Sequence, residues 1–450
     1  MDGTATSRGD SGMTLIVESD TGVVLYRIAQ ASTLPSDVNE RTQGPAAETA
    51  THRAAAVWGM PDFMFSSPQE KKGNSVREVG DGLLVVGNRG AVLQVKSRVA
   101  LTEDADEEIA WLNKVTSKAI KQAQGTVRRL QSAATIQLRN QRGRRVEVGT
   151  AGMSWVSVVV IDHPQPPSGW TPNFTDVRRP TVVLLRRDWE FLLDHLRSAW
   201  AVLGYLHRVA GTPVELGTEP VRYHQYALAD ESAPADPVHP SVSGFGGQVV
   251  STPRAPLSPA SGGDTDAHLV YRIIMEDFAM TALDEQREAD RLWLLGQLDG
   301  LPVAARSELG TALLGFMKDA GEFRGDGALT HTRLVTPNPG EFGPMVFMVA
   351  SAPAQESRDT LYIRTQLLHH DYQQATHLLD LTTVGVLLSP SSVPGRKWDT
   401  SLTGLQGDQG LTEAQVAEMR TLLDDARERV ADGSGACEVE GSSGSAPAAG

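Results

Sequence analysis

EVGDGLLVVGNRGAVLQVKSR, residues 78–98, is the stretch whose reading decides the fold around it. Two aliphatic runs, GLLVVG and AVLQVKSR, adjoin Asn88-Arg89-Gly90. Asn and Gly tolerate the positive φ of a tight turn, so the spacing predicts a β-hairpin that turns at 88–90. Side chains alternate along a strand, which puts Val92, Gln94 and Lys96 on one face and Leu93, Val95 and Ser97 on the other. Asp81 stands at the mouth of the first strand, with Glu78 three residues before it. A carboxylate there, with an oxygen-bearing side chain and a lysine two apart on the return strand, can hold a divalent cation. The same set places an ammonium beside an attacking water.

Downstream, the acidic run EDADEE precedes IAWLNKVTSKAIKQAQGTVRRLQ. Ile109, Leu112, Val115, Ile120, Ala123, Val127 and Leu130 recur at the spacing of an amphipathic helix, and acids at its start and bases near its end complement the helix dipole. The chain as a whole carries a net charge of −14, which argues against indiscriminate binding of nucleic acid. Between Lys114 and Arg145, however, lie nine basic residues and no acid. Lys114, Lys118, Lys121, Arg128 and Arg129 are the members expected to neutralise phosphates beside the candidate site. Gln122 and Gln124 are further candidates to reach a substrate.

Asp81, Gln94 and Lys96, in the order D…QxK on paired strands, resemble the core of the PD-(D/E)xK nuclease superfamily, in its Mrr-like and nuclease-related branches. The resemblance covers roughly residues 55–132. WGMPDF at 58–63, the 78–98 stretch and VVLLRRDWEFLLDHLRSAWAVLGYLHRVAG also resemble an uncharacterised actinobacterial protein family. The nuclease resemblance implies an α/β fold with a restriction-endonuclease-like mixed sheet flanked by helices, and a helix after the xK strand packed beside the site. It implies Mg²⁺ or Mn²⁺ held by Asp81 with Glu78, Gln94 as a carbonyl ligand, and Lys96 as the catalytic lysine. Glutamine in place of Glu or Asp lowers the charge of such a site, yet it occurs in active Mrr-like enzymes. The expected activity is hydrolysis of phosphodiester bonds, with DNA the expected partner. The alternative is a catalytically inactive nuclease fold that binds nucleic acid or protein.

The organisation expected along the chain is a poorly patterned segment at 1–50, a nuclease-like domain at 51–228 and a Pro/Gly/Ser-rich linker or disordered insertion at 229–267. An α+β region at 268–431 and a disordered tail at 432–450 follow. LIVES and GVVLYRIA suggest a short hairpin, 30–52 reads as loop, and SSPQEKKGNSVRE reads as a flexible polar approach to Glu78. In the α+β region, helices are expected near 284–298, 303–320 and 358–376, strands near 329–336, 344–351 and 381–388, and a last helix capped by Thr412. Asp162 and Asp188, at strand ends, are expected in cap or turn roles, Asp188 as the N-cap of the helix DWEFLLDHL, which breaks near Ser198.

One cysteine, Cys437, leaves no disulfide framework and no Cys-based zinc site. No apolar run approaches the ~20 residues of a membrane span. The N-terminal stretch lacks the layout of a signal peptide, so a cytoplasmic protein is expected. His163 and His207 stand alone in the sequence, and the adjacent His369 and His370 would face different ways on a helix. GxSxG, Walker A and GxGxxG patterns are missing from any strand-to-helix setting.

Overall fold

The computed structural model describes residues 14–19, 22–27, 42–67, 69–72, 75–78, 80–232, 255, 265–284, 287–325, 328–336, 342–352, 355–392, 394, 397–431 and 438–441. The chain divides into two units, Met1–Pro259 and Ala260–Gly450, at a boundary inside the Pro/Gly/Ser-rich 229–267 segment. Most of that segment, and residues 30–41, lie outside the described residues. Both units are mixed α/β.

Strands β1 (Thr14–Ser19) and β2 (Gly22–Arg27) of the first unit form an antiparallel pair. Helix α1 (Gln43–Gly59) follows, then β3 (Met64–Phe65), β4 (Gln69–Lys72), β5 (Ser75–Glu78), β6 (Gly82–Val86) and β7 (Arg89–Ser97). Helix α2 (Ala105–Ser132), β8 (Thr135–Arg139), β9 (Arg145–Gly149), β10 (Ser154–Asp162) and β11 (Thr181–Leu185) come next. Three helices, α3 (Arg186–Leu196), α4 (Ala199–Val209) and α5 (Glu219–Ser232), close the unit.

Its central sheet runs β11-β10-β7-β6-β3. β7, β10 and β11 are parallel, whereas β6 is antiparallel to both β7 and β3. Parallel neighbours need a long crossover, and α2 supplies it between β7 and β10. These strands, edge strand β11 included, are buried on both faces, which is why LLVV, SVVVI and TVVLL read as unbroken apolar runs. On one face Leu112, Ala119 and Ile120 of α2 pack against Val159, Ile161, Val183 and Leu185. Gln94 and Lys96 pair with Val159 and Ile161 across the sheet, so they share the α2 face. α1, α3 and α4 cover the other face: the Trp189 indole of α3 donates to the Thr51 carbonyl of α1 at 3.0 Å.

The hairpin turns one residue earlier than the sequence suggests. Val86 pairs with Arg89, so Gly87 and Asn88 are the two turn residues, with Gly87 at φ +56°. Gly90 serves packing instead: a Cβ there would strike the Trp155 ring on β10. Arg89, buried, lays its guanidinium 3.9 Å over the Trp200 ring. Two further expectations are corrected. The loop reading of 30–52 gives way to helix α1 from Gln43, and the polar approach at 66–78 contains the β4–β5 hairpin.

Asp188 does not cap α3. The helix begins at Arg186 with Leu185 as N-cap, and Asp188 at the third helical position receives the Leu185 N–H. The break near Ser198 is real: Arg197 adopts φ +51°, and the Ser198 hydroxyl caps α4 by accepting from Ala201 N at 3.0 Å.

The second unit opens with α6 (Thr265–Met280), α7 (Glu288–Asp299) and α8 (Val303–Glu322). Then come β12 (Thr330–Val335), β13 (Met345–Ala350), α9 (Gln355–Thr376), β14 (Thr382–Pro390), β15 (Trp398–Gln406), α10 (Glu413–Ala431) and β16 (Glu438–Gly441). Its sheet runs β15-β14-β13-β12-β16 and is again mixed. β16 falls within 432–450, where it pairs in parallel with β12; the rest of that tail lies outside the described residues. Thr412 and Gln415 make reciprocal hydrogen bonds at the start of α10, a capping box.

Candidate functional site

The β6–β7 hairpin brings Asp81 and Lys96 together. The Asp81 main-chain N–H donates to the Leu93 carbonyl at 3.1 Å, which locks the mouth of β6 onto β7. Asp81 Oδ2 accepts the Val95 N–H at 2.6 Å and lies 3.4 Å from Lys96 Nζ. The ammonium also donates to the Val95 carbonyl at 2.8 Å. Both side chains stay partly open to solvent, Lys96 25% and Asp81 20%. Gln94 lies deeper: it is buried, and its Nε2 donates to the Leu93 carbonyl at 3.2 Å. Asp81 and Lys96 therefore meet at one end of the sheet, with Gln94 on the same face of β7 one pleat further in. Glu78 ends β5 opposite Gln69, and its side chain lies outside the described residues.

The donor set here consists of oxygen: the Asp81 carboxylate and the Gln94 amide. Among the described residues no three His, Cys, Asp or Glu side chains converge into a metal-binding group. Hard oxygen donors with one negative charge do not make a closed cage. They do fit Mg²⁺ or Mn²⁺ in its usual mode, in which one or two carboxylates share the ion with substrate phosphates and water.

The same edge of the sheet carries more charge. Asp162, at the end of β10, accepts the Ser97 hydroxyl at 2.9 Å and Arg186 Nε at 2.8 Å, and Arg186 also reaches Glu190 at 2.7 Å. Asp162 therefore serves as an ion-pair partner instead of a cap. A second network anchors α2 to the ends of β7 and β10. Glu108, buried in the first turn of α2, takes a two-pronged bond from Arg98 at 2.9 and 2.7 Å and the Thr102 N–H at 2.8 Å. His163 Nε2 is 2.9 Å from the other side of that carboxylate. The Gln165 N–H donates to His163 Nδ1, which leaves Nε2 as the protonated donor to Glu108. His163 is thus not isolated, contrary to the sequence reading; its partner is 55 residues away.

Arg98 above all holds the Glu108 carboxyl down, to about 2 from its ordinary 4.5, and Thr102 and His163 add to this. A depressed carboxylate stabilises the fold above its unfolded value and loses that contribution as the pH falls from about 4.5 through 2. Glu108→Gln is accordingly expected to cost about 2 kcal/mol at pH 7. Urea unfolding should show that cost shrinking towards pH 2, and a pH-independent cost would contradict the assignment.

The lysines of α2 lie where the helix reading expects them. Lys114, Lys118, Lys121, Arg128 and Arg129 are all exposed. Lys114, Lys118 and Lys121, spaced four and three apart, form one stripe. The rest of the basic run is used differently: Arg142 and Arg144 both pair with Asp62, 2% exposed, at 2.5 and 3.1 Å. Gln124 ties back to Thr181 of β11 at 3.4 Å. In the second unit, both ring nitrogens of His369 are engaged, by Thr383 at 2.9 Å and Gly407 at 2.7 Å. His207 is buried and pushed down to about 4 by burial first and Arg89 second, so it is a neutral core residue.

No family model, curated protein or solved structure matches this chain. Among the described residues no helix is long and apolar enough to cross a membrane.

Proposed function

We propose that the first unit is a metal-dependent nuclease-like domain that hydrolyses phosphodiester bonds, with DNA as its substrate and the cytoplasm as its place of work. The observation that carries this reading is the approach of Lys96 Nζ to Asp81 Oδ2 at 3.4 Å, in the partly open mouth of a hairpin that also carries Gln94. The packing of α2 on the Gln94/Lys96 face of the sheet supports it, since that is where the superfamily resemblance expects a helix.

Asp81 and Gln94 would hold Mg²⁺ or Mn²⁺, which when bound polarises a phosphoryl oxygen. Lys96 orients the attacking water and stabilises the charge that builds on the phosphoryl oxygens in the transition state. The Val95 N–H fixes the rotamer of Asp81, so the carboxylate does not have to be ordered when substrate arrives. The Lys114–Lys118–Lys121 stripe places cations along a phosphate backbone. Glu78 is a further ligand candidate in this reading.

Cleavage of plasmid and single-stranded DNA with Mg²⁺ or Mn²⁺ is the direct test. Metal-dependent cutting supports the reading, and its absence with salt-sensitive DNA binding retained leaves the second one. That second reading is a nuclease fold that binds nucleic acid without cutting it, favoured by the single carboxylate among the described site residues. For either, replacing Lys114, Lys118 and Lys121 with glutamine should weaken DNA binding without regard to sequence. It should also lower the slope of log affinity against log salt by about 1 for each phosphate that is no longer neutralised. An unchanged slope would remove the stripe from the interface.

A further inference from the structure

The second sheet ends on β15, nine residues long and paired only with β14 among the described residues. Two bonds just beyond its ends fix which way its backbone points. The Ser391 N–H donates to the Lys397 carbonyl at 3.0 Å, and the Gly407 N–H to the Leu381 carbonyl at 3.0 Å. Lys397 and Gly407 therefore face β14, and so do the odd-numbered residues between them. The N–H and C=O groups of Thr400, Leu402 and Gly404 turn the other way, toward the open side of the sheet. Natural sheets blunt such an edge with lysine, proline, a bulge or brevity. WDTSLTGLQ contains neither lysine nor proline, and its register against β14 is unbroken from Trp398 to Gln406.

Helix α6 lies beside this edge. The Thr400 hydroxyl donates to Asp277 Oδ2 at 2.8 Å, and a Cβ on Gly404 would meet Leu294 of α7. The even-numbered side chains of β15 thus share the face that α6 and α7 cover. Ile273 and Met280, four residues before and three after Asp277, are its neighbours on the helix surface and are 56% and 61% exposed. Leu269, 45% exposed, continues the stripe. Exposed apolar side chains beside an unblunted edge mark an association surface.

We propose that β15 pairs with β15 of a second copy of this chain, antiparallel about a two-fold axis at Leu402, so that two sheets join into one. The occupant follows from self-complementarity. The axis sets Leu402 opposite its own copy, Thr400 opposite the partner's Gly404 and Trp398 opposite the partner's Gln406. The outward N–H and C=O groups of Thr400, Leu402 and Gly404 then bond to one another. Asp399, the strand's one charged residue, falls opposite the partner's Leu405, so no like charges meet. Lys397, exposed just before the strand, comes beside the partner's Asp408, exposed just after it, once at each end of the pair. A two-fold normal to the sheet keeps α6 on one side in both copies, which brings the two Ile273–Met280 stripes toward each other across the junction. An unrelated extended peptide would satisfy the backbone alone and leave the stripe and the Lys397–Asp408 match without a reason.

Sedimentation equilibrium of the full chain over the micromolar range, combined with hydrogen exchange, tests the proposal without reference to any nuclease activity. The wild type should be dimeric. The Thr400, Leu402 and Gly404 amides should gain protection as the concentration rises, while those of Ser401 and Thr403, which face β14, stay protected throughout. Ile273→Glu, an exposed substitution, should raise the dissociation constant by about 10-fold or more. Lys397→Glu should raise it by about 3–10-fold, and Asp408→Lys added in the same chain should restore the wild-type value. Thermal melts check that each variant is folded. A wild type that is monomeric at every concentration overturns the proposal. Protection of the three amides in that monomer would mean that a segment of this chain covers the edge, and their free exchange would leave it to a different partner. A dimer indifferent to Ile273→Glu and to the charge swap overturns the proposal as well.

Discussion

Lys96→Ala is expected to reduce Mg²⁺-supported cleavage of plasmid DNA by about 10²–10³-fold, the usual consequence of removing a group that stabilises transition-state charge. In the proposed nuclease reading the loss should fall on kcat, because Lys96 would act on charge that develops only as the bond breaks. Stability should change little. The Asp81–Lys96 pair is 3.4 Å long and partly solvated, and such pairs contribute about 0–1 kcal/mol. Asp81 also keeps its bond from the Val95 N–H when the lysine is gone. Steady-state kinetics together with urea unfolding check both halves. Cutting that survives in the folded variant would remove Lys96 from the chemistry and the nuclease reading with it.

Much of the site is legible in the sequence because the hairpin is local. Asp81, Gln94 and Lys96 lie within 16 residues, and period-2 alternation is enough to place the last two on one face. The turn is displaced by one residue for a tertiary reason. Gly90 looks like a turn glycine until Trp155 of β10 occupies the space its missing Cβ leaves, and Arg89 looks like a turn residue until Trp200 covers it. What no sequence pattern exposes is contact between distant segments. His52 beside Gly82, His163 on Glu108, and Asp62 between Arg142 and Arg144 each join residues about 30 to 80 positions apart. The Gly-Asp-Gly bracket is the one visible sign of the first of these, since two glycines around a candidate carboxylate point to close neighbours.

Elsewhere the physical limits differ. The first half of helix α1, as far as His52, reads as loop because GPAAETATH has helix-forming alanines but no apolar stripe, so propensity and periodicity disagree. Strand β15, WDTSLTGLQ, escapes the sequence reading for a related reason: as the edge of the second sheet it is only half-buried, and its sequence alternates weakly. Where a strand is central, as in β6, β10 and β14, burial on both faces writes itself into the sequence as an apolar run.

Asp188→Asn is expected to stabilise the protein at pH 8 by roughly 2–4 kcal/mol, the second large effect. The Asp188 carboxyl is 1% exposed, and burial first, then the charge of Glu219, push it up from 3.8 to about 7. The Leu185 and Glu219 N–H groups and Arg187 pull the other way and do not restore it. Glu219 accepts two bonds from Arg222, at 3.0 and 2.5 Å, and one from the Tyr205 hydroxyl at 2.5 Å. Asp188, pushed up to about 7, keeps its proton through the acid range. The folded chain binds that proton between pH 3.8 and about 7 and the unfolded chain does not. Stability from this group thus falls as the pH rises through that window, then stays low above it. Asparagine, neutral throughout, removes the slope. His207 and His224, both held near 4, contribute a slope of opposite sign, but they do so equally in variant and wild type. The difference between the two urea midpoints at pH 5 and pH 8 consequently isolates Asp188. A gain clearly larger at pH 8 than at pH 5 is the expected result; an equal shift at both values would mean that Asp188 is ionised in the folded protein.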